Sequence, residues 1–216
     1  MIKAVAFDLD GTLVHSLPDL VWAANAMRRQ LGLAAVGEDK VSQWVGNGIS
    51  KLVERASQEL GEAPQALALF EAAYQSHLAV ASRPYDGALA VLTELGRRGF
   101  ALALVTNKAS RFAIPLVRDL GLEPHFEHIL CGDSLAAKKP DPLPLTWLCQ
   151  RFDLAPAELL MVGDSKNDIQ AAQAAGCPSV GLTGGYNYGE DIGLSNPDFT
   201  LDSLAALLEL PALQQR

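Results

Sequence analysis

The sequence has little positive charge. Among its 216 residues, 17 are Lys or Arg and 25 are Asp or Glu, which gives a formal net charge of -8 at pH 7. Protein surfaces that bind nucleic acid are usually basic. The composition therefore argues against a nucleic-acid partner, although a small anion can still bind at a local positive site.

Cysteine is also scarce. The sequence has three cysteines, Cys131, Cys149 and Cys177, and no Cys-x-x-Cys pair. An odd number of cysteines without such a pair is typical of reduced thiols. The first residues lack the basic and long apolar regions of a secretory signal, and no apolar run approaches the ~20 residues of a membrane-spanning helix. These absences predict a cytoplasmic protein with no membrane partner.

The sequence does contain a regular alternation of apolar strands and helices. In its C-terminal part the two patterns alternate, ending with a strand at 198–201 and a helix from Ser203. This alternation is typical of a mostly parallel sheet covered by helices on both faces. The sequence therefore predicts an α/β fold, with a core formed by residues 1–15 and 85–216 and an all-helical domain inserted at 16–84.

Two carboxylates directly follow the first apolar strand. Asp8 and Asp10 precede Gly11 and Thr12, and a turn at Gly11 can bring both acids around one small volume. Carboxylates that lie close together repel each other unless a cation lies between them or one is protonated. Mg2+, which prefers carboxylate, water and phosphate oxygens, would offset this repulsion. The alternative is a solvated turn, because Asp, Gly and Thr are common turn residues.

Polar side chains also follow the later strands. They are Thr106, Asn107, Lys139, Asp164 and Asp168. Each has a simple alternative: helix capping by Thr106 and Asn107, a solvated loop lysine, and a favourable helix dipole for the two acids. In an open parallel sheet, however, ligands bind beyond the carboxyl ends of the strands. Taken together, these residues predict a binding site at one edge of the sheet.

The set of motifs resembles the haloacid dehalogenase-like phosphohydrolases. The matching segments are Asp8-Leu9-Asp10-Gly11-Thr12, Thr106-Asn107, Lys139-Pro140 and Gly163-Asp164-Ser165-x-x-Asp168. They occur in this order and span essentially the whole chain. The resemblance implies a Rossmann-like core with an inserted helical cap.

The resemblance also implies roles for the catalytic and phosphate-binding residues. Asp8 would attack phosphorus and form an aspartyl-phosphate, and Asp10 would protonate the leaving oxygen and later activate water. Thr106, the amide of Asn107 and Lys139 would bind the phosphoryl oxygens. The presence of Asp10 favours phosphate chemistry over dehalogenation within the family.

For the metal, the resemblance implies a Mg2+ cofactor held by four acidic residues. Its ligands would be the carboxylate of Asp8, the main-chain carbonyl of Asp10 and the carboxylate of Asp164. Asp168 would contribute through water or by supporting the other ligands. Mg2+ and Lys139 would together offset the repulsion between an anionic nucleophile and an anionic phosphate.

The inserted helices would act as a cap that closes over the site and selects the substrate. Gly46-Asn47-Gly48 is the turn that we expect to face the substrate, because its glycines allow close approach and its Asn offers a donor and an acceptor. The alternative is an ordinary turn between helices. A closed cap over a small cavity favours a small anionic phosphate ester.

Within the family, the segments 8–20, 44–48 and 185–190 resemble those of enzymes that hydrolyse 2-phosphoglycolate, and this is the activity that we expect. Another small phosphate ester, pyrophosphate, β-phosphoglucomutase chemistry and a non-catalytic phosphate-binding module are the alternatives. The expected assembly is a monomer or small homo-oligomer. Two positions depart from the pattern: His15 replaces an Asp, and Gly184 stands where a bulkier residue is common.

Overall fold

The computed structural model describes residues 1–214. Its strands are β1 (Ala4–Phe7), β2 (Val14–His15), β3 (Arg83–Pro84), β4 (Ala101–Val105), β5 (His128–Leu130), β6 (Leu159–Gly163), β7 (Ser179–Leu182) and β8 (Phe199–Leu201). Its α-helices are α1 (Leu17–Gln30), α2 (Glu38–Ser42), α3 (Ile49–Ala56), α4 (Ala66–Ser76), α5 (Ala88–Arg97), α6 (Ser110–Asp119), α7 (Leu143–Phe152), α8 (Lys166–Ala175) and α9 (Pro211–Gln214).

Six of these strands form one parallel sheet in the order β5-β4-β1-β6-β7-β8. Alternate side chains of β1 enter different hydrophobic clusters: Val5 and Phe7 join a cluster that includes α5, and Ala4 and Ala6 join one that includes α7 and α8. This alternation places helices on both faces. The predicted α/β fold with a mostly parallel sheet is confirmed.

The helices between β2 and β3 have a hydrophobic cluster of their own. It includes Leu20 and Met27 of α1 and Phe70 and Tyr74 of α4, all buried. An inserted helical segment is therefore present, as predicted. The exact boundaries at 1–15, 16–84 and 85–216 stay a prediction, and residues 215 and 216 lie outside the described part.

Two short strands connect the sheet to the helical segment. Val14 pairs with Pro84 and His15 with Arg83 in an antiparallel ribbon. Sequence periodicity did not indicate this ribbon, because a strand of two residues is too short to show an alternation.

The helix predicted from Ser203 differs in the structure. A 3-10 helix at Ala205–Glu209 precedes the short α9. Leu204, Leu207, Leu210 and Leu213 are buried at intervals of three residues, the repeat of a 3-10 helix. Pro211 also has no N–H with which to continue a helix across this point.

The structure can be compared with two predictions, that the cysteines are reduced and that no helix spans a membrane. The three cysteines are buried free thiols. Within residues 1–214, no helix is long and apolar enough to cross a membrane.

Candidate active site

The sheet places three of the predicted site residues at one edge. Phe7 at the end of β1 pairs with Leu104 of β4 and Val162 of β6, so these three strands end at nearly the same level. Asp8, Thr106 and Asp164 follow shortly after these positions and are all buried. The sequence folds this way because parallel strands direct their carboxyl ends to the same side.

Lys139 joins two of the acids at this edge. Its Nζ lies 2.9 Å from Asp8 Oδ1 and 2.6 Å from Asp168 Oδ1, and it donates a hydrogen bond of 2.5 Å to the carbonyl of Val105. The other carboxylate oxygen of Asp168 accepts from the main-chain N–H and the hydroxyl of Ser165, at 3.0 and 2.9 Å. Asp168 therefore holds Lys139 against Asp8 while it caps the start of α8.

Asp164 is fixed by hydrogen bonds and by close packing. Its Oδ1 accepts from the hydroxyl of Thr12 at 2.7 Å, and its Oδ2 accepts from the main-chain N–H of Tyr186 at 2.8 Å. A Cβ atom at Gly11 would lie 2.4 Å from Asp164 Oδ2, and one at Gly185 would lie 2.1 Å from Asp164 Cβ. Glycine at both positions thus leaves the space that this carboxylate occupies.

The electrostatics of this edge favour a bound cation. Asp8, Asp164 and Asp168 each offer a carboxylate oxygen, and these oxygens lie within 4.8 Å of one another. Burial, with repulsion from the neighbouring acids, raises the pKa of Asp8 well above its usual range. Burial and the charge of Asp168 raise the pKa of Asp164 to about 7. Three buried carboxylates this close together fit a hard divalent cation, and its identity as Mg2+ stays a prediction.

Lys139 keeps its charge in this setting. Burial alone would lower its pKa, but the carboxylates of Asp168 and Asp8 raise that pKa above the ordinary lysine value. The site therefore combines the ammonium group of Lys139 with the three acids.

The carboxylate of Asp10 lies in different surroundings from the other acids. Its Oδ1 accepts from the hydroxyl of Ser16 at 2.5 Å, and Lys108 Nζ lies 2.9 and 3.1 Å from its two oxygens. The carboxylate is thus paired with Lys108 and is not part of the group formed by Asp8, Asp164 and Asp168, and metal binding by the carbonyl of Asp10 stays a prediction.

Lys108 was not among the residues selected from the sequence. It is buried, and although burial would lower its pKa, Asp10 and Tyr74 raise it above the ordinary lysine value. The only sequence signal is that it directly follows Thr106 and Asn107, since a lysine in a loop gives no indication of burial.

The predicted cap turn lies against the sheet edge. The carbonyl of Gly46 accepts from the side-chain amides of Asn107 and Asn167 at 2.9 and 3.1 Å. Lys138 donates to the carbonyl of Asn47 at 3.0 Å. The helical segment is therefore closed over the site, with main-chain atoms of the turn at the contact.

The side chains of the predicted substrate-binding amides are engaged by the protein. Asn47 Oδ1 accepts from Arg55 at 2.8 Å, and Asn107 Nδ2 donates to the carbonyl of Lys139 at 2.8 Å as well as to Gly46. Asn107 thus links the cap turn to the loop of Lys139. Its main-chain N–H remains the predicted donor to a phosphoryl group.

A cleft lies between the sheet edge and the helical segment, enclosing about 410 Å³ with its open mouth. Its lining residues are Asp8, Asp10, Leu20, Val45, Gly46, Gly48, Ile49, Leu52, Thr106, Asn107 and Lys108. Of the predicted site residues, the structure brings together at this cleft Asp8, Asp10, Thr106, Asn107, Gly46 and Gly48. Lys139 does not line the cleft itself, but it pairs with Asp8, which does.

Tyr186 connects the edge that carries the three acids to the start of α1. Its hydroxyl accepts from the main-chain N–H groups of Ser16 and Leu17, each at 3.1 Å, and lies 3.1 Å from His15 Nδ1. The same residue donates its main-chain N–H to Asp164. His15 departs from the family pattern, but nothing in the sequence indicates its contact with Tyr186.

A family model described as haloacid dehalogenase-like hydrolase matches residues 5–182. The chain belongs to the haloacid dehalogenase-like hydrolase family. The match extends from β1 to β7, so it includes every predicted site residue of this hydrolase from Asp8 to Asp168.

Relatives of this hydrolase match over nearly their full length. It is 48% identical to a phosphoglycolate phosphatase of Vibrio vulnificus strain CMCP6, covering 97% of this chain and 96% of the relative. Identity to a phosphoglycolate phosphatase of Thiobacillus denitrificans is 44%, covering 94% and 93%. A crystal structure of a predicted phosphoglycolate phosphatase from Haemophilus somnus 129PT superposes with a TM-score of 0.91 at 38% identity, covering 97% of both chains.

Proposed function

We propose that this hydrolase is a Mg2+-dependent phosphatase that converts 2-phosphoglycolate into glycolate and phosphate. The observation that carries the proposal is the arrangement of Asp8, Lys139, Asp164 and Asp168 at one buried sheet edge beneath a closed helical segment. Full-length similarity to proteins named phosphoglycolate phosphatase supports the choice of substrate. We further propose that the protein acts in the cytoplasm.

In the first step, the carboxylate of Asp8 attacks phosphorus and the bond from phosphorus to the ester oxygen breaks. Asp10 gives a proton to that oxygen, so that glycolate leaves. Thr106, the main-chain N–H of Asn107 and Lys139 hold the phosphoryl oxygens. Lys139 is suited to this role because its ammonium group is fixed on Asp8, the nucleophile.

In the second step, water attacks phosphorus of the aspartyl-phosphate, and Asp10 accepts a proton from this water. The bond between Asp8 and phosphorus breaks, which releases phosphate and restores the carboxylate. Asp8, Asp164 and the carbonyl of Asp10 would hold Mg2+, with Asp168 in support. When bound, this cation supplies the positive charge that offsets the carboxylates and the phosphate.

The closed helical segment explains why the substrate should be small. Gly46 and Gly48 approach the sheet edge closely, and Val45 with apolar side chains of α1 and α3 forms the rest of that wall. Contact of the segment with the sheet edge would limit the access of bulk water to the phosphoryl group and favours a small ester over a phosphorylated protein.

Steady-state hydrolysis of a panel of phosphate esters, with and without Mg2+, tests the proposal. The panel contains 2-phosphoglycolate, hexose phosphates and pyrophosphate, and conversion between hexose phosphates is followed as well. We expect the highest kcat/KM for 2-phosphoglycolate and no turnover after chelation. A higher kcat/KM for another compound would mean that this compound, and not 2-phosphoglycolate, is the substrate. If the protein binds phosphate but hydrolyses no compound of the panel, it is a non-catalytic phosphate-binding module.

A further inference from the structure

The cleft contains one cation among its described lining residues. Asp8, Asp10 and Lys108 are the charged residues of the lining. Much of the wall formed by the helical segment is apolar, with the side chains of Leu20, Val45, Ile49 and Leu52. A substrate that carries a second anionic group beside its phosphate would therefore meet Lys108 or a wall that cannot pair with it.

Three other basic side chains near the cleft already have partners within the protein. Lys139 bridges Asp8 and Asp168 beneath the cleft. Arg55 donates to the carbonyl of Trp44 and to the side chain of Asn47 on the helical segment, so its guanidinium is committed to that turn. Lys138 is exposed and donates to the main chain of the same turn. Lys108 is paired with Asp10, but unlike these three residues it lines the cleft, so it is the cation that a second anion on the substrate can contact.

The position of Lys108 matches the shape of a short phosphorylated acid. Its Nζ lies 2.9 and 3.1 Å from the two oxygens of Asp10, the residue proposed to protonate the ester oxygen. In 2-phosphoglycolate, one methylene group separates that oxygen from the carboxylate carbon. An ammonium group donates up to three hydrogen bonds, so Lys108 can hold Asp10 and one carboxylate oxygen together.

The burial of Lys108 makes its pairing with the substrate carboxylate important. The side chain of Lys108 is 2% exposed, and a carboxylate left unpaired against the apolar wall would lose its hydration without compensation. The first turn of α3, at Ile49, lines the same cleft, and Gly48 before it has no side chain to cap the helix. The positive end of this helix adds to the attraction for an anion.

We infer that Lys108 binds the substrate carboxylate and selects acids in which that carboxylate lies one carbon from the phosphate ester oxygen. This inference rests on the proposed function, because it assigns the group that recognises the second charge of 2-phosphoglycolate. A longer acid would extend its carboxylate past Lys108 towards the apolar side chains of the helical segment.

The test compares 2-phosphoglycolate with its neutral isostere, the primary amide of the same acid. The measured quantity is the ratio of kcat/KM for the acid to kcat/KM for the amide. We expect Lys108→Met to lower this ratio by about 10- to 100-fold, the usual effect of losing a hydrogen bond to a charged group. Lys108→Arg should keep part of the preference, because it retains the charge.

Lys51→Met is the matched control, since it removes an exposed lysine from the helical segment that forms the opposite wall of the cleft. It should leave the ratio unchanged. If Lys108→Met slows the acid and the amide equally, Lys108 serves only to position Asp10, and the inference is wrong while the proposed function stands.

Two outcomes for the unmodified enzyme separate the inference from the proposed function. Equal hydrolysis of the acid and the amide would overturn both the role of Lys108 and the substrate, leaving a phosphatase of other specificity. A preference for another short acid, such as phospholactate, that Lys108→Met abolishes would overturn the proposed substrate and support the inference.

Discussion

The two walls of the cleft are built in different ways. At the sheet edge, buried side chains are fixed by several contacts each: Lys139 has three partners, and both oxygens of Asp164 accept hydrogen bonds. On the helical side, Gly46 contributes a main-chain carbonyl and most of the surface is apolar. The sheet edge is therefore suited to the reaction, and the helical wall to the size and charge of the substrate.

The largest effect should come from the nucleophile. Asp8→Asn keeps the size of the side chain but removes the carboxylate that attacks phosphorus, so kcat should fall by about 10⁴-fold or more. Steady-state turnover and acid-quench trapping of the phosphoenzyme measure this. Asp119→Asn, on the exposed end of α6, is the control and should behave like the unmodified enzyme. Turnover by Asp8→Asn within tenfold of normal would require another nucleophile.

Replacing Lys139, the lysine that pairs with Asp8 and Asp168, should affect both activity and stability. Lys139→Met leaves Asp8 and Asp168 without their shared partner, so kcat/KM should fall by about 10²- to 10³-fold and the free energy of unfolding by about 3 kcal/mol. Urea unfolding gives the second value. Lys138→Met, which changes the exposed neighbour, should leave the free energy of unfolding nearly unchanged. Equal stabilities for the two variants would contradict this account of the sheet edge.

Two adjacent glycines offer a matched pair of variants. A methyl group at Gly185 would overlap Asp164, whereas one at Gly184 would have no atom within 4 Å. Gly185→Ala should therefore displace the carboxylate and lower kcat/KM by about 10²-fold, the scale of a 1 Å misplacement in an active site. Gly184→Ala should have little effect. Similar kinetics for both variants would mean that the loop moves freely beside Asp164.

The pKa of Asp164 predicts how metal binding depends on pH. Because burial raises this pKa to about 7 in the folded protein, the folded state retains a proton that the unfolded state loses near pH 4. Without metal, this group should make the protein less stable as pH rises from about 4 to about 7. Excess Mg2+ should then raise Tm more at about pH 8 than at about pH 5, because it binds ionised carboxylates. Thermal denaturation with and without Mg2+ measures both shifts. An equal shift at the two pH values would contradict binding to these acids.

The smallest effect should come from the side chain of the cap turn. Asn47→Ala removes one hydrogen bond to Arg55 and leaves the carbonyl that Lys138 contacts. We expect kcat/KM to stay within about tenfold of normal, the usual range for one exposed or half-buried hydrogen bond. A loss above 100-fold in steady-state kinetics would show that Asn47 contacts the substrate directly and that the two walls share the chemistry.

The sequence predicted the sheet edge more completely than the helical wall. Asp8, Thr106 and Asp164 could be placed together because each follows an apolar strand, and parallel strands end on one side. The burial of Lys108 could not be predicted, because its partner Asp10 is 98 positions away in the sequence. The adjacent Asn107 does not indicate whether the lysine side chain is buried or exposed.

Fine features of the chain were also beyond the reach of sequence patterns. The two-residue ribbon of β2 and β3 is too short for periodicity to indicate it. The sequence predicts a helix from Ser203, but the leucines from 204 to 213 are buried at every third position, which is the spacing of a 3-10 helix. The hydroxyl of Tyr186 binds the start of α1 through main-chain N–H groups, and such groups occur at every position of a sequence.

The ribbon of β2 and β3 has a consequence for how this architecture can vary. Val14 and Pro84 lie side by side, so the chain leaves the sheet and returns to it at adjacent points. None of the six sheet strands comes from the interval between them. Evolution can therefore lengthen, shorten or exchange this interval as a module, giving one reaction centre many specificities without a change in strand order.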